Sequence, residues 1–262
     1  QEKIGEGLQT LSDQELSAWW TEFHRLTDIF WAHATLPELS NYGSSELLAE
    51  KLKECVPESE IPHILEAFCA PEGISFYQQE EIDLAETDDI LTHQKKYFWL
   101  KNSYAHVEVL PVAFFEKRKK EISTSIGQES DNRLAEVIDK KDTIQKQYNL
   151  PQEVRDIGDV IGEGIHWQDE RKRVIWIYLH YEQLMLEEVA GRGGTDAALL
   201  GFLRHEEMPA IISRSMSPSI LEQRREGTGV MAVEGVVTLL DTATVLEYWK
   251  IYVDTVSAST VS

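Results

Sequence analysis

The stretch from His166 to Val189, HWQDERKRVIWIYLHYEQLMLEEV, constrains the fold of this chain more than any other part. Its first turns carry Asp169, Glu170, Arg171, Lys172 and Arg173, and then Val174, Ile175, Trp176, Ile177, Tyr178 and Leu179 follow with hardly a polar break. A helix that is apolar on every side has to be enclosed by other helices. Tyr181, Leu184, Met185, Leu186 and Val189 then return to spaced apolar positions, with Glu182, Glu187 and Glu188 between them, so that end shows one face to water. The pattern predicts one long helix, its middle at the centre of a bundle and its charged start near a rim. It ends at Gly191-Arg192-Gly193-Gly194, where glycine can supply a left-handed cap.

The segments before it also read as helices. Ser12-Asp13-Gln14-Glu15 is a capping box, and Leu16, Trp19, Trp20, Phe23, Leu26 and Phe30 continue at helical spacing to near Ala34, with Pro37 as the break. Short helices are expected through Leu47, Leu48 and Leu52, and through Ile61, Ile64, Leu65 and Phe68. Further helices are expected from Ser75 to Thr87, from Thr87 or Asp88 into KYFWLKNSY, and from Pro111 through Phe114 and Phe115. Residues 129–147 form a strongly charged helix with a thin apolar stripe, peripheral and partly solvated. Pro151 opens another through Val154, Ile157, Val160 and Ile161. There each of Gly158, Gly162 and Gly164 costs about 1 kcal/mol against Ala, which points to a close helix approach or a kink.

After residue 225 the period changes. Val230-Met231-Ala232-Val233, a turn at Glu234-Gly235, and Val236-Val237-Thr238-Leu239-Leu240 alternate as a β-hairpin does, and Thr242 to Val253 reads as a last helix. The expected fold class is therefore mainly α, a multi-helix bundle with a small C-terminal β-hairpin plus helix. Its expected divisions are a bundle at 1–225, the hairpin and helix packed on it at 226–253, and a small, polar, disordered tail or linker at 254–262.

With 262 residues, seven Trp, nine Tyr and eight Phe, the chain can bury a substantial core. Its 25 basic and 46 acidic residues leave a formal charge of −21, which repels nucleic acid and anionic membranes; neither is expected as a partner. Cys55 and Cys69 are too few and too far apart for a disulfide framework or a C-x-x-C motif, and read as two reduced thiols. No apolar run is long enough for a membrane span and Gln1 is not followed by a basic, then apolar leader, so the expected compartment is the cytoplasm.

Several constellations bear on chemistry. HYEQLMLEE puts His180 among carboxylates, but Gln183 and Leu184 occupy i+3 and i+4, where a second ligand would have to stand. His205-Glu206-Glu207 resembles H-E-x-x-H, with Pro209 in place of the second His. No metal is expected. The glycines before Thr195 could cradle an anion at a helix start, but they lack the G-K-[ST] ending and fit a plain helix-to-helix turn better. A denser group is His93 to Tyr104, where Lys95, Lys96 and Lys101 alternate with Tyr97, Phe98, Trp99 and Tyr104. Beside Trp167 to Lys172 it could line a cleft with cations for an anionic group and aromatics for a ring. Aromatics filling the core, with lysine stems laid along it, explain the same pattern. There is no G-x-S-x-G elbow, and the eight histidines show no ligand spacing.

At HQKKYFWLKNSYAHVEVLPVAFFEK (93–117) and WQDERKRVIWIYLHYEQLMLEE (167–188) the chain resembles the helical middle region of phosphoenolpyruvate-utilising phosphotransferases, the family of phosphoenolpyruvate synthase, pyruvate phosphate dikinase and the rifampicin phosphotransferases. The likeness extends loosely over residues 12–253. In whole enzymes of that family an ATP-grasp domain phosphorylates a histidine on a swivelling domain, which carries the phosphoryl group to the acceptor. Here the Gly-Gly-x-x-His loop is missing, with Ala197 where the His would stand, and no ATP-grasp site is evident. The resemblance therefore implies an acceptor-binding or linker module that does not transfer phosphate alone. No cofactor is expected in this chain, ATP and magnesium belonging to the complete enzyme. The expected partners are a small-molecule acceptor, and ATP-grasp and phosphohistidine domains in cis or in trans. Lys95, Lys96, Trp99, Asn102, Tyr104, Asp169, Arg171 and Lys172 match the pattern and are the candidate substrate-binding residues; no catalytic role is assigned. Two other readings stand beside it. One is a freestanding non-catalytic helical interaction protein, and the other a metal-dependent hydrolase with ligands scattered through a bundle.

Overall fold

The computed structural model describes residues 7–41 and 43–259. It is mainly helical. A 3-10 turn at Leu8–Thr10 precedes α1 (Asp13–Ala34), α2 (Leu36–Asn41), α3 (Ser44–Lys53) and α4 (Ile61–Phe68). Then come α5 (Phe76–Glu86), α6 (Ile90–Tyr97), α7 (Val112–Glu121), α8 (Ile126–Gln147) and the 42-residue α9 (Gln152–Gly193). Short helices α10 (Ala197–Leu200), α11 (Met208–Ile212) and α12 (Ser219–Glu226) lead to β1 (Gly229–Val233), β2 (Val236–Leu240) and α13 (Thr242–Ser259).

The helix starts follow their side chains. Ser12 Oγ accepts from the Glu15 amide while Glu15 Oε2 accepts from the Ser12 amide, closing the expected capping box. Ser75 and Gln78 close a second one at α5. For α6 the cap is Asp89, one residue beyond the expected Thr87 or Asp88, and its Oδ1 accepts from the Thr92 amide at 3.0 Å. The expected hairpin forms, with Val233 opposite Val236 and Gly229 opposite Leu240. Glu234 and Gly235 both have positive φ, 51° and 79°, which a two-residue turn matched to strand twist requires.

The chain divides into two compact units: one comprises Gln1–Leu26 with Glu182–Ser262, the other Thr27–Tyr181. The first unit packs Leu16 and Trp20 of α1 against Met185 and Val189 of α9, with Leu200, Met208, Ile211 and Leu221 around them. The second has two clusters. One gathers Leu48, Leu52, Ile64, Phe68, Val154 and Ile161. The other is aromatic, with Phe76, Tyr97, Trp99, Phe115 and Trp176 around Leu84, Leu100 and Ile175.

Three expectations are corrected. The helix opened by Pro151 and the one centred on Trp176 are a single helix. Its glycines mark a close approach and no break, because a Cβ on Gly158 would stand 2.7 Å from Phe68 Cβ and one on Gly162 2.9 Å from the Ala70 carbonyl oxygen. The apolar run at 174–179 is not enclosed on every side. Ile175 and Trp176 are 1% and 7% exposed, yet Val174 is 40% exposed and Ile177, Tyr178 and Leu179 are half-buried. A lone surface valine costs little, so an apolar run need not be walled in all round. Finally, residues 254–259 continue α13, with the Thr255 hydroxyl donating to the Ile251 carbonyl; 260–262 lie outside the described residues. Among the described residues no helix is long and apolar enough to cross a membrane.

Candidate functional site

The residues singled out by sequence fall into separate places within the second unit. Lys95 is exposed. Lys96 is also exposed, and its Nζ lies 2.5 Å from Asp83 Oδ2, which in addition accepts from the Tyr97 hydroxyl at 2.6 Å. Burial, the hydrogen bond to Asp83 and the charge of that carboxylate push the Tyr97 phenol well above its ordinary range. Trp99 is buried and spends its Nε1 on the Lys96 carbonyl at 2.8 Å. Asn102 is buried as well. It donates to the Trp176 carbonyl at 3.0 Å and accepts from the Glu108 amide at 2.8 Å. Tyr104 is exposed, its ring edge-on to that of Trp176 with the centroids 5.0 Å apart.

On α9, Asp169 and Lys172 pair with each other at 3.0 Å. Arg171 is only 9% exposed; it donates to the Ala34 carbonyl at the end of α1 at 3.0 Å and pairs with Glu38. Asp169 lines a cavity of about 260 Å³ together with His166, Arg133, Ser75 and Gln78. None of the candidates from 95–104 lines it. Asn102 and Tyr104 thus meet α9 at Trp176, one turn and more beyond Asp169 and Lys172, and the single cleft expected between the two stretches is not formed by this cavity.

A larger cleft, about 580 Å³, lies in the first unit. Its polar wall is built from three elements. Trp20 and His24 stand one turn apart on α1, rings 4.1 Å apart. Glu182 comes from α9, its Oε1 3.8 Å from His24 Nε2. His205 opens a 3-10 turn, His205–Glu207, and its ring lies nearly parallel to that of His24, 12° apart in plane and 5.3 Å between centroids. The turn is held by Trp20 Nε1, which donates to the His205 carbonyl at 2.8 Å, and by Glu207, which accepts from the Arg204 amide and from both terminal nitrogens of Arg224. Those hydrogen bonds, Arg224's foremost, hold the Glu207 carboxyl below its ordinary range. The facing wall is apolar: Leu186, Leu200 and Leu203, with Val230, Val237 and Leu239 of the hairpin.

Nothing in the residue spacing announces this cleft as a whole. In the sequence Glu182 and His205 stand out only as potential metal ligands, and His24 sits unremarked within an amphipathic helix. The one local signal is Trp20 and His24 at i and i+4. Among the described residues no group of three or more His, Cys, Asp or Glu is arranged to hold a metal ion. The glycines at 191–194 end α9; a Cβ on Gly193 would stand 2.8 Å from Ile211, and Gly194 has the positive φ, 66°, of a left-handed helix end.

The fold and the cleft together define a mainly helical protein with a ligand-sized, amphipathic cavity. No family model, no curated protein and no solved structure matches this chain.

Proposed function

We propose that this chain is the helical acceptor-binding or linker module of a phosphoenolpyruvate-utilising, ATP-dependent phosphotransferase, with nucleotide and magnesium handled by domains outside it. The observation that carries the reading is the cleft between Trp20, His24, His205 and the hairpin, whose volume of about 580 Å³ suits a small-molecule acceptor. The two stretches that resemble the family are also joined physically, since Asn102 of the first holds the Trp176 carbonyl of the second. On this reading the chain binds and orients the acceptor and excludes water from it. The phosphoryl donor is supplied from elsewhere. The compartment is the cytoplasm, in keeping with two cysteines that are both unpaired.

Incubating the complete gene product with radiolabelled ATP and magnesium tests this. The expected result is an acid-labile, alkali-stable phosphohistidine on a domain outside residues 1–262. A reading frame that encodes no ATP-grasp segment or histidine loop, with no such label formed when a phosphohistidine domain is added in trans, overturns it.

One observation favours the rival, a non-catalytic interaction protein. Val230, Val233 and Val236 of the hairpin and Leu246, Trp249 and Tyr252 of α13 are each more than half exposed, an apolar surface of the kind that partners cover. Absence of the phosphohistidine label would leave this reading in place.

A further inference from the structure

The cavity of about 260 Å³ in the second unit draws its polar lining from three elements, and most of those groups are donors. Ser75 and Gln78 come from the start of α5, Arg133 from α8, and His166 and Asp169 from α9. The capping box of α5 uses acceptors and spares donors. Ser75 Oγ accepts from the Gln78 amide and Gln78 Oε1 from the Ser75 amide, which leaves the Ser75 O–H and the Gln78 side-chain N–H groups to donate. Arg133 and His166 make no ion pair or hydrogen bond with another described residue. In a chain with 46 acidic and 25 basic residues, a guanidinium at a cavity has carboxylates to choose from, and this one has taken none among those described. His166 lies against Gly73, where a Cβ would stand 2.8 Å from the ring's Cε1 and Nδ1, so glycine is what admits the imidazole to the wall.

The acids at hand are already neutralised. Asp169 is the acidic group among the described lining residues, and Lys172 pairs with it at 3.0 Å. Glu72, beside Gly73 in the loop, is held by Lys141 and Arg155. Volume and donor number then choose among anions. At about 260 Å³ the cavity falls below the roughly 300–1,000 Å³ of sites for drug-sized ligands, which excludes a nucleotide. Donors on four side chains, converging from three elements, suit the three terminal oxygens of a phosphate better than the two coplanar oxygens of a carboxylate. Pro71, Leu134 and Val137 offer apolar surface to a short carbon body.

We propose that this cavity binds a small phosphate monoester with an uncharged body, its phosphate held by Arg133, His166, Ser75 and Gln78 and its carbon chain laid against Leu134 and Val137. The site goes beyond the proposed function and does not rest on it.

The test needs this chain alone. Glycerol 1-phosphate is titrated into the protein at fixed pH and ionic strength while the ring signals of His166, assigned through His166→Gln, are followed by NMR. They are expected to move and to saturate. Lactate, which is of similar size but carries a carboxylate, is expected to bind about tenfold or more weakly, since it leaves donors of the site unmatched. Glycerol has no anionic group and should leave the signals where they are. Arg133→Gln puts another good helix former at an exposed position without a partner, so it should keep the melting temperature. It should weaken the ester by about tenfold or more, because a charge-assisted hydrogen bond to the phosphate is lost. The lactate and glycerol arms use the unsubstituted chain and stand whatever becomes of the variant. If the His166 signals do not respond to the ester, if lactate binds as tightly, or if glycerol alone moves them as far, the proposal is wrong. It is equally wrong if a folded Arg133→Gln variant binds the ester as well as the unsubstituted chain, which would leave only diffuse attraction of an anion to the surface.

Discussion

Asn102 and Trp176, 74 residues apart in the chain, are joined by a hydrogen bond of 3.0 Å from the Asn102 side-chain amide to the Trp176 backbone carbonyl. The same side chain accepts from the Glu108 amide at 2.8 Å, so one 2%-exposed residue fixes the loop after α6 to the middle of α9. Both partners are backbone groups, and the amide side chain supplies a donor to one and an acceptor to the other.

Asn102→Ala is therefore expected to cost about 2–4 kcal/mol, because it leaves the Glu108 amide unpaired at about 1–3 kcal/mol as well as losing the bond to α9. Asn102→Asp keeps the acceptor but sets a buried carboxylate against a carbonyl, and should be at least as harmful. Urea unfolding of the two variants checks this; an Asp variant as stable as Asn would show that the carbonyl contact contributes nothing.

A second buried polar group has no solvent at all. Glu80 is 0% exposed, with one oxygen 3.0 Å from His93 Nε2 and the other 2.5 Å from Arg118. Removing one partner of such a group strands the others, and Glu80→Ala is expected to cost about 3–5 kcal/mol. Its neighbour Glu81, also paired with Arg118 but near the surface, should cost less than about 1 kcal/mol when changed to Ala. Equal losses for the two would mean that burial of the Glu80 cluster does not set its worth.

Two glycines of α9 should respond to alanine in opposite directions. At Gly158 the added carbon would meet Phe68 Cβ at 2.7 Å and the Phe68 carbonyl oxygen at 3.1 Å, so the neighbour cannot yield by rotating a side chain. Overpacking of about 1–3 kcal/mol then outweighs the helix preference for alanine. At Gly191 nothing lies within 4 Å, and alanine should gain up to about 1 kcal/mol. Thermal melts of the two variants against the unsubstituted chain measure both signs.

How much of this is legible from the residues divides along a physical line. Periodicity, caps and turn chemistry are local, and they locate the capping box at Ser12, the hairpin turn at Glu234-Gly235 and a mainly helical fold. The glycines of α9 signal a close approach, although nothing in the sequence names Phe68 as the neighbour. Side-chain partnerships across the fold are not local. Arg171 looks like a surface cation in a D-E-R-K run, but it is buried on the Ala34 carbonyl; Lys96 looks available, but it lies on Asp83. The cleft escapes a reading by periodicity because His24, Glu182 and His205 stand on three elements and share no spacing.

Acid should weaken the first unit through Glu207, and the sign can be worked out. Arg224, hydrogen-bonded through both terminal nitrogens, together with the Arg204 amide lowers the Glu207 carboxyl from its ordinary value of 4.5 in the folded state. A group whose folded value is depressed stabilises the fold at pH above its unfolded value, and that contribution is lost as the pH falls through the folded one. Glu207→Gln should thus cost about 1–2 kcal/mol at neutral pH, the worth of a partly exposed charge-assisted pair, and its deficit should shrink once the pH drops below 4.5. Asp83 titrates in the same direction: burial would raise its carboxyl, but hydrogen bonds from Lys96, Tyr97 and Gln79 outweigh that and hold it low. The comparison must therefore be between the variant and the unsubstituted chain at each pH, because Asp83 contributes equally to both and cancels. A deficit that stays constant from neutral pH into acid would mean that the carboxylate charge of Glu207 is not what holds the His205 turn in place.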